Sequence, residues 1–109
     1  MSKPWIDVAE EQGWRVDEGV QEGQHWFEFS QESPAGEDFS FTIWPKGTEP
    51  HEIAWSIWNY GFDVNEHVQL WAPSAGKNGT PDVVTLVQDA QEIEKMIDEL
   101  YYSIRDLED

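Results

Sequence analysis

Histidine beside a carboxylate is the pairing in this chain best suited to acid–base or metal chemistry. It occurs twice, as His51-Glu52 and Glu66-His67. A zincin-type hydrolase needs two histidines four apart on one helix, and neither pair has the second histidine. Asp63 and Asn65 begin like a calcium loop. The sixth position is Val68, where the turn requires glycine, and the twelfth is Ser74 rather than a bidentate glutamate. Asp63-Val64-Asn65-Glu66 reads better as a helix cap. Gly76-Lys77-Asn78-Gly79 lacks the Lys-Ser/Thr that completes a phosphate loop, and no strand precedes it. His25 alternates with Phe27 and reads as structural, facing the covered side of a strand or ending it. The 23 Asp and Glu offer so many carboxylate pairs that none marks a hydrolase. No catalytic residue, metal site or cofactor is expected.

The same acids dominate another property. Against 6 Lys and Arg they leave a formal charge of −17 on 109 residues. Seven Trp, five Phe and three Tyr distinguish the chain from a disordered acidic tail, because they supply apolar surface to bury. A folded surface of this charge repels nucleic acid and anionic membrane and attracts basic surfaces. Direct nucleic-acid binding and membrane binding are therefore not expected. Cysteine is absent, which removes disulfides and thiolate metal ligands. The opening residues lack the apolar run of a signal peptide, and no run approaches the ~20 residues of a membrane span, so a cytoplasmic location is expected.

Residues 4–12 suit a short helix with Pro4 in its first turn and Trp5, Val8 and Ala9 on one face. The period then becomes two. Trp14 and Val16, then His25, Phe27 and Phe29, then Phe39, Phe41 and Ile43 alternate with polar residues. A gap from Gly19 to Gly23 and a turn at Ser33-Pro34-Ala35-Gly36 separate them. This predicts a three-stranded antiparallel meander within 14–44. Thr48 is the expected cap of a helix ending at Gly61, and at least one of Trp55 and Trp58 should reach the core. A short helix carrying Val64, Val68 and Trp71 follows. Thr80-Pro81 signals one more helix start. Leu86, Ala90, Ile93, Ile97, Leu100, Ile104 and Leu107 then recur at steps of 4, 3, 4, 3, 4 and 3. Asp89 with Glu92 could cap anew and split that helix in two. The expected fold is a single α+β domain over 1–109, ordered α-βββ-α-α-α, with the meander packed against the C-terminal helices. The area law for this size gives roughly 6,200 Å² of accessible surface.

Two surfaces could bind a partner. Asp82, Asp89, Glu92, Glu99 and Asp106 fall at spacings of 7, 3, 7 and 7 on the last helix, which places them on one side, with Glu94, Asp98 and Glu108 widening the band. Only Lys95 and Arg105 oppose them there, so like charges repel. Trp26 and Trp44 fall on the sheet face opposite the phenylalanines. The N-terminal helix, through Trp5, is the expected cover of that face. If it packs elsewhere, two indoles stand beside acids in a setting that suits arginine.

Phe62-Asp63-Val64-Asn65-Glu66-His67-Val68-Gln69-Leu70-Trp71, Pro81-Asp82-Val83-Val84-Thr85-Leu86-Val87-Gln88-Asp89-Ala90 and the chain on to Ile97 resemble small acidic proteins carried on bacterial mobile elements. The likeness covers about the last half of the chain. It implies a setting of defence and counter-defence, where acidic proteins resemble DNA mimics of the antirestriction and anti-CRISPR type that occupy a nuclease's DNA channel. The expected function is non-enzymatic inhibition of a basic nucleic-acid-binding nuclease. The alternatives are an immunity protein for a basic toxin nuclease and an acidic adaptor without mimicry, with a carboxylate hydrolase more distant.

Overall fold

The change from helical to alternating periodicity near Gly13 is where the chain enters its sheet. The computed structural model describes residues 3–74, 76–77 and 82–107. Helix α1 (Pro4–Glu11) leads into strands β1 (Arg15–Gln21), β2 (Gln24–Glu32) and β3 (Asp38–Ile43). Helices α2 (Pro50–Tyr60), α3 (Val64–Trp71) and α4 (Val83–Arg105) follow, with one 3-10 turn at Ala72–Ser74. The strands lie in the order β1-β2-β3 and both pairings are antiparallel. The architecture is therefore the α-βββ-α-α-α arrangement that the periodicities predict. Among the described residues, no helix is long and apolar enough to cross a membrane.

The first turn is tighter than the predicted gap. Strand β1 runs through Gly19 to Gln21, which pairs with Gln24. Only Glu22 and Gly23 turn the chain, with φ of 52° and 80°. Positive φ at both positions matches the right-handed twist of a two-residue hairpin. Gly19 is a strand residue directly opposite Trp26. A methyl group there would run into Trp26 Cζ2 and Cε2, so this glycine makes room for the indole rather than for a turn.

Aromatic rings hold the layers together. Phe27, Phe29, Phe39, Phe41 and Ile43 are buried on one sheet face. Trp5 of α1 meets Phe27 edge-on, with ring centroids 4.8 Å apart, and its Nε1–H donates to the Thr48 carbonyl at 3.1 Å. Phe29 stacks on Phe41 at 5.1 Å, and Phe41 on Tyr60 of α2 at 4.8 Å. Helix α2 is capped by Glu49, not Thr48. Glu49 and Glu52 form a capping box in which Glu52 Oε1 accepts the Glu49 N–H at 3.2 Å. Gly61 ends α2 in the left-handed region at φ 64°. Helix α4 is continuous, not split at Asp89, and caps on Asp82. The Thr80-Pro81 start signal lies outside the described residues. Leu86, Ala90, Ile93, Ile97, Leu100 and Ile104 of α4 are buried, whereas Leu107 lies past the helix end and is exposed. Among the described residues, all the helical cover lies on one face, giving a flat molecule of 44 × 31 × 21 Å. Its surface of 6945 Å² exceeds the roughly 6,200 Å² expected from size alone for that reason.

Replacing Gly19 with Ala should displace the Trp26 indole and cost about 1 kcal/mol. Denaturant unfolding and fluorescence quenching would check this. In the Trp26→Ala background the same substitution should be neutral or slightly stabilising, because a strand alanine is then unopposed.

Candidate interaction surfaces

Among the described residues, no helix covers the sheet's second face. Since Trp5 packs on Phe27 and Phe29, α1 lies on the same side as the other helices, and the expected cover for Trp26 and Trp44 is absent. A one-sided sheet must put its apolar cover where the phenylalanines are, and Trp5 is the largest cover α1 has. The open face carries Arg15, Asp17, Trp26, Glu28, Ser30, Ser40 and Thr42 by register. Trp26 is half-buried over Gly19, and Trp44 is 45% exposed. A shallow groove of about 650 Å³ runs past Arg15, Asp17, Glu28, Ser30, Glu32 and Asp38, toward the end of the sheet away from Trp26. His25 pairs with Val20 beyond the helical cover, and both are exposed. That is the strand-ending alternative for this histidine.

The acidic band of α4 divides on the real helix. Asp82 is exposed and serves as the N-cap, accepting the Thr85 N–H at 2.8 Å. That hydrogen bond holds its carboxyl below the ordinary value. Asp89 does not belong to the solvent-facing band, because it is only 4% exposed. Its phase explains this: three residues after Leu86 and four before Ile93, it sits on the edge of the buried stripe. Glu92, Glu99 and Asp106 remain as an exposed flank. Lys95 Nζ lies 3.4 Å from Glu92, and Arg105 lies 3.8 Å from Asp106. Such exposed pairs are weak and leave the carboxylates accessible. Glu94 and Asp98 fall on the opposite flank, facing α2. Glu108 lies outside the described residues.

What Asp89 does instead is bind the β2–β3 turn. Its Oδ2 accepts the Ser33 hydroxyl at 2.6 Å and its Oδ1 accepts the Ala35 N–H at 3.0 Å. Ser33 Oγ in turn accepts the Glu37 N–H at 3.0 Å. Glu37 Oε1 lies 3.1 Å from His67 Nε2 of α3, both side chains being largely buried. The contact is close, but the ring nitrogen is not aligned for a hydrogen bond. Serine, aspartate and histidine here do not form a nucleophilic triad. Ser33 donates to a carboxylate rather than to a base, and it is 4% exposed. The group ties the turn, α3 and α4 together. Burial raises the Glu37 carboxyl above its ordinary 4.5, the His67 ring pulls it back down, and Asp89 adds to the rise. Asp63 accepts the Asn65 and Glu66 N–H groups at 2.9 and 3.2 Å, which makes it the cap of α3. Among the described residues, no group of three His, Cys, Asp or Glu is placed to hold a metal ion.

Neither Trp55 nor Trp58 reaches the core; they are 64% and 61% exposed. The buried face of α2 is filled by Ile53, Ala54 and Ile57; Trp55 lies two residues past Ile53 and Trp58 one past Ile57, steps of about 200° and 100° that turn both indoles off that face. Comparison with protein-family models, curated proteins and solved structures finds no match, so these surfaces rest on their own geometry.

Replacing Asp89 with Ala should cost about 2–4 kcal/mol, because the Ser33 hydroxyl and the Ala35 N–H would lose a charged acceptor. Asp89→Asn should cost less, and denaturant midpoints would rank the two. The raised Glu37 value means that the folded chain binds this proton more tightly than the unfolded chain. Its stabilisation is complete below 4.5 and is lost as pH rises through the raised value. As pH rises from 4.5 through the raised value at constant salt, Glu37→Gln should therefore lose less stability than the unsubstituted chain.

Proposed function

We propose that this chain is a non-enzymatic acidic interaction protein of the DNA-mimic type, which binds a basic nucleic-acid-binding protein, such as a defence nuclease, in competition with its nucleic acid. The observation that carries this reading is a formal charge of −17 on a folded surface that leaves Glu92, Glu99, Asp106, Glu94 and Asp98 exposed along one helix. Lys3, Lys95 and Arg105 each lie within 3.4–3.8 Å of a carboxylate, which uses up basic groups without balancing the acids. On α4, a seven-residue spacing puts Glu92, Glu99 and Asp106 roughly 10 Å apart. Phosphates of one DNA strand rise roughly 3.4 Å each, so the match is loose: these carboxylates correspond to about every third phosphate rather than to successive ones. Long-range attraction between such surfaces speeds encounter and weakens with salt. The open sheet face with Trp26 and Trp44 is the alternative contact surface.

The test is a competition assay with a panel of restriction and CRISPR nucleases and labelled DNA. Binding should displace DNA and weaken as salt rises. Reversing Glu92, Glu99 and Asp106 to Lys should slow association roughly ten- to hundredfold and leave the fold intact, because these positions lie off the buried stripe. Alanine at Trp26 and Trp44 should instead accelerate dissociation if the sheet face makes the contact. Simultaneous binding of DNA and this chain to one partner would overturn mimicry.

A further inference from the structure

A cleft of about 190 Å³ lies between α2 and α4. Ile57 and Ile97 form its apolar base, Trp58, Phe62 and Tyr101 its aromatic walls, and Glu94 and Asp98 its acidic rim. The Trp58 and Tyr101 rings stand 5.1 Å apart at 43°. Glu94 and Asp98 are one helical turn apart, and both are exposed. Among the described residues, neither pairs with a cation. The chain buries Trp5 and Trp14 almost completely yet leaves Trp58 61% exposed at this cleft. The cleft is smaller than the ~300–1,000 Å³ of a site for a drug-sized ligand, so its size suits one side chain.

We propose that this cleft receives a basic side chain, arginine above all, projected by a protein partner. A planar guanidinium can stack against an indole or phenol while its N–H groups donate to carboxylates, and Trp, Tyr and Arg dominate the energetically decisive contacts of interfaces. The chain already shows half of this recognition within itself. The Arg105 guanidinium lies 4.8 Å over the Tyr102 ring and 5.7 Å over Tyr101, on the same aromatic wall but outside the cleft lining. Arg105 has one carboxylate near it, Asp106 at 3.8 Å, whereas the cleft offers a second guanidinium two carboxylates, Glu94 and Asp98, beside the rings. Its position on the opposite flank of α4 makes it distinct from Glu92, Glu99 and Asp106. It rests on the proposed function only for the identity of the partner as a basic protein.

The experiment is an NMR titration of the full chain with blocked Gly-Arg-Gly, against the same peptide carrying uncharged citrulline. The Trp58 indole and Tyr101 signals should move with the arginine peptide and hardly with citrulline. Glu94→Gln with Asp98→Asn should weaken binding roughly five- to tenfold, while Glu92→Gln with Glu99→Gln, the same charge change on the same helix, should alter it by less than about twofold. All four side chains are exposed, so each variant should keep the fold, which the remaining amide spectrum reports. Shifts as large at Trp26 as at Trp58, an equal response to citrulline, or binding unchanged in the Glu94/Asp98 variant would overturn the proposal. Arginine binding in the cleft without displacement of DNA from any nuclease would overturn the competition reading and leave this one standing.

Discussion

The structure depends on covering one face of a three-stranded sheet with aromatic rings. A sheet of this size cannot persist alone in water and must bury an apolar face against other elements. Here Phe27, Phe29, Phe39 and Phe41 supply the sheet side, and Trp5, Trp14 and Tyr60 meet them from α1, the α1–β1 junction and α2. Everything else accommodates that contact. Helix α1 takes the phenylalanine side, and among the described residues no helix covers the other sheet face. Thr48 gives its carbonyl to Trp5, and Glu49 takes the helix cap. The packing must also outweigh the mutual repulsion of a surface at −17.

Helix α4 joins this core to the surface chemistry. One stripe of it, from Leu86 to Ile104, is interior. Asp89 at the edge of that stripe fastens the β2–β3 turn, and through Glu37 and His67 the same polar group reaches α3. The two remaining flanks differ in chemistry. Glu92, Glu99 and Asp106 form a plain line of charge suited to long-range attraction. Glu94 and Asp98 stand beside Trp58 and Tyr101 and combine charge with an aromatic wall. Under the proposed function, the first flank governs encounter and the second supplies a short-range contact that resists dissociation.

The sequence by itself determined the elements, their order and the pairing of the strands. Periods of two and near 3.6 come directly from backbone geometry, and proline and glycine mark the ends through their restricted or permissive φ. Asp63 was legible as a cap because its N–H partners lie two and three residues away. The buried place of Asp89 was also legible in its phase with Leu86 and Ile93, though its charge suggests solvent. Tertiary structure alone decided the rest. Which sheet face α1 covers, that Ser33 and Ala35 meet Asp89, and that Trp58 packs against Tyr101 beside a cleft all depend on contacts between residues far apart in the chain. Gly19 shows the difference most plainly. Within its own strand it reads as a turn residue, and only the indole of Trp26 on the neighbouring strand explains why no side chain fits there.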